Sequence, residues 1–351
     1  VFGQPYTVAV AVSASSPATG TPSGTVLVSD GQGHTCSVTL AGGVGSCALN
    51  GTAVGPATLT ASYSGDASFL TSAGTAAHSV NPGMTTTTIT SDTPDPSNFA
   101  QPYTVTVAVA PTGAAAGTPT GTVTISDGAG HTCTTGSISG GSASCVLNNT
   151  PVGIATLTAT YNGDASFSGS ADTEPHSVQQ IPTTAGVTAS VNPSLQGQTV
   201  TFTAAVSPAT ATGTVTFYDG ATPVGTVPVS GGTAVLAIST LTAGAHTITA
   251  VYNGDTNHAT AASPALTHTV TPNGTIVLAL AAAEGDGVFT FSSSTPLLNA
   301  SVTTSNGNGQ TAAISLNPGT YTVTVALPDG FGLTGVSCSD ADSNGSVSGK
   351  S

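Results

Sequence analysis

Apolar and polar residues alternate with a period of two through most of this chain. In "TLTASY" (58–63), Leu59, Ala61 and Tyr63 fall on one face, and Thr58, Thr60 and Ser62 on the other. In "TITAVY" (247–252), Ile248, Ala250 and Tyr252 repeat the arrangement. Side chains of a strand point alternately to its two sides, so this pattern predicts strands with one buried face. Gly, Pro, Asp and Asn interrupt the pattern at about ten-residue spacing, the rhythm of an all-β sandwich. Thr fills the outward positions, which keeps strand propensity high without charge.

The strands recur in blocks. "FGQPYTVAVAV" (2–12) matches "FAQPYTVTVAV" (99–109) and, more loosely, "LQGQTVTFTAAV" (195–206). "GTPSGTVLVSDG" (20–31) matches "GTPTGTVTISDG" (117–128) and "ATGTVTFYDG" (211–220). "YSGD" (63–66) returns as "YNGD" at 161–164 and 252–255, and each block closes on a strand with a histidine, His78, His176 or His268. Spacings near a hundred residues suit self-contained sandwich domains rather than solenoid units. The predicted domains are 1–82, 83–180, 181–271 and a different C-terminal module, 272–351. The second block begins with "TTTTITSDTPDPS" (85–97) and the third with "TTAGVTASVNPS" (183–194), whereas the first starts directly at "FGQPYTV". The first repeat is therefore expected to lack its opening strand, a state that invites completion by another segment.

The recurrent Tyr-x-Gly-Asp marks the end of a penultimate strand. Tyr63, Tyr161 and Tyr252 are expected to fill the sandwich end and reach backbone with their hydroxyls. Asp66, Asp164 and Asp255 are expected to bond turn amides. This is a structural turn motif rather than a ligand set.

The pattern G-Q-x-x-T-V-x-x-x-x-V, then T-G-T-V-x-x-x-D-G, then T-x-T-A-x-Y-x-G-D, makes residues 1–271 resemble the tandem immunoglobulin-like repeats of bacterial surface proteins. The resemblance implies Greek-key β-sandwiches, secretion, service as a stalk or adhesive module, and no catalytic residues. "NPGTYTVTVALPDGFGLTGVSCSD" (317–340) resembles the prealbumin-like β-modules that end many bacterial surface chains. Cys338 would pair in such modules with a cysteine near the final strand; with none before Ser351, the module reads as incomplete.

Composition narrows the function. Lys350 is the only Lys or Arg among 351 residues, against fifteen acidic residues, for a net charge of −14 with histidine neutral. That excludes phosphate-dependent binding of nucleic acid and electrostatic docking to anionic lipid. The longest apolar run, "IVLALAAA" (276–283), is too short to insert in a membrane. Lysine scarcity also removes Lys–Asn isopeptide staples and trypsin-type cleavage sites before position 350. Cys36 and Cys47 flank the turn "AGGVG" (41–45), and Cys133 and Cys145 flank "SGGSA" (139–143). Each pair is expected on facing antiparallel strands, joined by a disulfide, which implies an oxidising compartment. No Gly-x-Ser-x-Gly elbow or His-Glu-x-x-His helix is present, and no cofactor or metal is expected. Asp340, Asp342 and Asn344 have the spacing of half a calcium loop, but Ser351 stands where Glu is required, so a solvated turn is expected.

The resulting expectation is a non-enzymatic bacterial protein, extracellular or at the cell surface. It would be the subunit of a fibre or a rod-like stalk, assembled head-to-tail by strand complementation. Its partners would be copies of itself or the remainder of a longer surface chain. The alternative is an adhesin or carbohydrate-binding module.

Overall fold

Alternation at period two becomes strand in every repeat. The structure is a computed structural model and describes residues 1–282, 285–316 and 321–331. Cys338, Asp340, Asp342 and Asn344, with the pairing and the turn expected of them, lie outside these residues. Strands and turns make up the described chain, with one 3₁₀ turn at Pro296–Leu298 and no α-helix among the described residues. One compact unit holds the first two repeats and a second holds the third repeat and the C-terminal module.

Repeat 1 contains β1 (Tyr6–Ala11), β2 (Thr25–Ser29), β3 (Thr35–Thr39), β4 (Val44–Leu49), β5 (Gly55–Tyr63) and β6 (Ser72–Val80). Repeat 2 contains β7 (Thr85–Thr93), β8 (Ser97–Asn98), β9 (Tyr103–Pro111), β10 (Val123–Ser126), β11 (Thr132–Thr134), β12 (Ser142–Leu147), β13 (Gly153–Tyr161) and β14 (Ser170–Gln179). Its two sheets run β12-β9-β7 and β11-β10-β13-β14-β8. Their inner faces meet through Tyr103, Val105, Val107 and Val109 of β9 and Val123, Ile125, Leu157 and Tyr161 opposite, all buried. The alternate residues of these strands face outward, which is why Thr and Ser can be so abundant without weakening the core.

Repeat 3 contains β15 (Thr184–Ala189), β16 (Ser194–Leu195), β17 (Val200–Ser207), β18 (Thr214–Asp219), β19 (Thr222–Pro228), β20 (Thr233–Ile238), β21 (Gly244–Tyr252), β22 (Ala261–Ala262) and β23 (Leu266–Thr271). Its sheets run β15-β17-β20 and β16-β23-β21-β18-β19. The C-terminal module contains β24 (Gly274–Ile276), β25 (Ala279–Ala281), β26 (Val288–Ser293), β27 (Ala300–Thr303), β28 (Asn308–Gln310), β29 (Ile314–Leu316) and β30 (Val323–Ala326). Phe289, Phe291, Leu298 and Val302 are buried there around β26.

Repeat 1 repeats the plan without counterparts of β7 and β8 among the described residues. Its second sheet runs β3-β2-β5-β6, but among the described residues β1 pairs with β4 alone. Repeat 2 places β7 along the corresponding edge of β9, in register from Thr85 with Pro111 to Thr93 with Thr104.

Candidate functional site

The Tyr-x-Gly-Asp motif is a clasp between two loops. Asp164 accepts hydrogen bonds from the Ser166 and Phe167 amides of its own turn at 2.7 and 2.8 Å. Its other oxygen accepts from the Thr120 amide and hydroxyl, 44 residues earlier, at 2.6 and 2.8 Å. Asp66 makes the same bonds to Ser68, Phe69 and Ser23, and Asp255 to Thr212. Burial opposes ionisation of Asp164, but these donors outweigh it and hold the carboxyl down to about 2. The tyrosine hydroxyls differ from expectation. Tyr252 donates to Asp255 at 3.2 Å rather than to backbone, and the Tyr63 and Tyr161 hydroxyls are buried with no hydrogen-bond partner. Burial, with the neighbouring carboxylates adding to it, pushes Tyr161 and Tyr252 up to about 12.

Cys36–Cys47 and Cys133–Cys145 are disulfides with Cα atoms 6.0 Å apart. The expected hairpin is not their setting. β3 belongs to one sheet and β4 to the other, as do β11 and β12, so each bond ties the two sheets across the core edge. The short Gly-Gly turn carries the chain from sheet to sheet instead of folding it back within one.

The three repeat histidines sit in three different environments. In repeat 2, His176 is fully buried: its Nε2 meets Ser97 Oγ at 2.9 Å, its Nδ1 meets Asp92 Oδ2 at 2.8 Å, and its ring stacks on Tyr103 at 3.8 Å. The order Ser97–His176–Asp92 is that of a serine-hydrolase triad. Ser97, however, is 1% exposed and pairs in parallel with Val178, so its hydroxyl has no access to a substrate. In repeat 3, Ser194 and His268 keep the 2.9 Å bond, but His268 Nδ1 has no partner. In repeat 1, His78 stacks on Tyr6 and is only half-buried. Sequence reasoning found the histidines and missed Asp92, Asp95 and Ser97. "SDTPDPS" carried the signal, because its counterpart "TASVNPS" in repeat 3 (188–194) lacks both acids.

The feature most able to receive a partner is the trough of repeat 1. Val8, Val10 and Val12 are half-buried, while the equivalent Val105, Val107 and Val109 are 0–2% exposed. Residues 72–76 of β6 are all exposed. Together with Val26, Val28, Leu59 and Ala61 they line an open trough of about 320 Å³. In repeat 2 this position is occupied by β7. Ile89 is buried in the core, Thr85 and Thr87 bond Ser170 at 2.8 Å, and Asp92 reaches His176.

Residues 1–81, 89–179 and 187–271 match the family model described as bacterial Ig-like domain (group 3). The chain belongs to this family. Behind the three Ig-like repeats, residues 276–351 match a prealbumin-like fold domain. No curated protein matches the chain. Among solved structures, the Escherichia coli adhesin FdeC aligns at 15% identity over 77% of this chain and 93% of its own, with a TM-score of 0.26. The fibronectin(III)-like modules of Clostridium thermocellum CbhA align at 15% over 53% and 94%, with a TM-score of 0.23. The mouse nectin-like molecule 4 ectodomain aligns at 11% over 78% and 96%, with a TM-score of 0.28. These likenesses are too distant to bear on function. Among the described residues, the first two Ig-like repeats differ at one sheet edge, covered by β7 in repeat 2 and open beside β1 in repeat 1.

Proposed function

We propose that this chain is a secreted, non-enzymatic structural protein of the bacterial surface, a subunit of an extracellular fibre in which a strand from a neighbouring copy completes repeat 1. The observation that carries the reading is the trough beside β1. An extended segment laid there would add ladder hydrogen bonds to β1 and bury Val8, Val10 and Val12 to the level of their counterparts. A contact between unlike surfaces of identical copies does not close on itself and so gives a filament. Two inter-sheet disulfides and the near absence of trypsin-type cleavage sites support exposure outside the cell.

Negative-stain microscopy and sedimentation of the purified chain over a concentration series test this. Filaments or oligomers are expected, shortened by a molar excess of a synthetic peptide of residues 85–93, whose register suits the trough. A chain that stays monomeric at every concentration would sink the fibre and leave the repeats as spacers within a surface stalk.

A further inference from the structure

Side chains of β14 at alternate positions 170, 172, 174 and 176 face inward, toward β7 and the segment after it. They bring Asp172, Glu174 and His176 beside Asp92 and Asp95. His176 Nδ1 lies 2.8 Å from Asp92 Oδ2 and 3.5 Å from Asp95 Oδ1, and all three ligand atoms fall within 4.8 Å of one another. We propose that Asp92, Asp95 and His176 bind a divalent transition-metal ion of the zinc class, with Glu174 as a fourth donor.

A single His176–Asp92 hydrogen bond would satisfy those two groups alone. It leaves two things unexplained. First, Glu174 Oε2 is buried and has no hydrogen-bond partner. A buried carboxylate oxygen without a donor is costly, and three further carboxylates crowd it. Secondly, among the described residues His176 is the one cationic side chain paired with these acids, a single charge against four carboxylates, and the sequence has no Arg and a single Lys, Lys350. Asp172 is committed elsewhere, accepting the Ile89 amide at 2.8 Å, and Asp95 Oδ1 also accepts the Ser177 amide at 2.9 Å.

The donor set fits the ion. Nε2 faces Ser97 Oγ and Nδ1 faces the carboxylates; on binding an ion Nδ1 would give up its proton and Nε2–H would donate to Ser97, the tautomer a ligating histidine requires. Zinc bonds of about 2.0–2.2 Å put neighbouring ligands roughly 3.4 Å apart; His176 Nδ1 and Asp95 Oδ1 are 3.5 Å apart, and Nδ1 and Asp92 Oδ2, at 2.8 Å, would part slightly to admit the ion. An imidazole nitrogen favours zinc, copper or nickel over calcium, which takes oxygen ligands. Asp95 is 39% exposed at its side chain, which leaves the cluster open to solvent on one side.

Repeat 3 is an internal control. Register places Ala189 at the position of Asp92 and Leu266 at that of Glu174, so His268 keeps its serine and has neither of these two acids beside it. The same comparison shows that the fold accepts Ala and Leu at these positions, which supplies test variants that still fold.

The test is isothermal titration of chelator-treated full chain with Zn²⁺, Mn²⁺ and Ca²⁺, paired with imidazole NMR. One equivalent of Zn²⁺ is expected to bind and to shift the His176 ring resonances while leaving those of His268 in place. Asp92→Ala and Glu174→Leu are each expected to weaken that binding at least tenfold. The proposal is overturned if Zn²⁺ leaves His176 unshifted, if Asp92→Ala binds as the wild type does, or if Ca²⁺ alone binds.

Discussion

Leu236 packs against Gly225 at the place where the first two repeats carry a disulfide. Gly225 pairs with Phe217, as Cys36 does with Val28, and Leu236 pairs with Phe202, as Cys47 does with Val8. A Cβ built on Gly225 would meet Leu236 Cδ1 at 2.7 Å, so the small residue makes room for the large one. A Leu–Gly pair and a cystine are two ways of filling one gap between the sheets.

The double variant Gly225→Cys, Leu236→Cys is therefore expected to close a third inter-sheet disulfide. Alkylation and mass spectrometry of the oxidised protein would show both new thiols protected. Conversely, replacing Cys36 and Cys47 by Ala should lower the stability of repeat 1 by about 2–3 kcal/mol in denaturant unfolding. If the new cysteines stay freely alkylated, the equivalence drawn from register is wrong.

Acid should loosen the loop clasps. Asp164 of the clasp, and Asp30, which accepts the Gln32 and His34 amides of the turn after β2, are both held down to about 2: burial acts against them, and hydrogen bonds from backbone and side-chain donors prevail. An unfolded aspartate titrates near about 3.9, so between that value and pH 2 the unfolded chain binds more protons than the folded one. The contribution of these groups is full above roughly pH 4 and is lost as pH falls toward 2. Denaturant melts at stepped pH should show this slope, and Asp164→Asn should reduce it in repeat 2. Stability that is flat across that window would refute the account.

Glycine in the Thr-Gly and Ser-Gly pairs before β2, β10 and β18 is fixed by the same clasp. Gly121 has φ +84°, and a Cβ there would stand 2.9 Å from the Gly163 carbonyl oxygen. Gly130 has φ +104° but nothing within 4 Å. Gly121→Ala should cost repeat 2 more than about 1 kcal/mol, and more than Gly130→Ala, which adds backbone strain without the collision. Equal losses in thermal or denaturant melts would mean that strain, not close approach, selects glycine at both sites.

Strand identity was legible in the sequence because alternation is a local property: Leu59, Ala61 and Tyr63 declare their face within six residues. Repeat length was legible because the same motifs return. Pairing across the sandwich was not. Nothing local to Cys36 and Cys47 says that their turn crosses between sheets, since a Gly-Gly turn serves either purpose. The carboxylates around His176 were hidden for a related reason. Asp92 and Asp95 sit some eighty residues before it, in the opening stretch of the repeat, and meet it only after β7 pairs with β9. The comparison of "SDTPDPS" with "TASVNPS" was the available clue, because two acids lost together from aligned positions point to a shared partner.

His268 offers the last prediction. Its Nδ1 is buried and unpartnered, and burial, with His246 adding to it, lowers its pKa. Ala189 occupies the position from which Asp92 reaches His176 in repeat 2. Ala189→Asp should place a carboxylate within hydrogen-bonding distance of His268 Nδ1 and raise the imidazole pKa, because an adjacent negative charge favours the protonated ring. The sign of the stability change follows from linkage. Relative to the parent, the variant gains stability at pH below the ordinary histidine range, and that gain fades as pH rises through the new folded pKa. Imidazole NMR titration reads the shift at His268, and melts below and above neutrality read the stability. An unchanged His268 titration would show that the two strands of repeat 3 do not hold the geometry by which Asp92 and His176 meet in repeat 2.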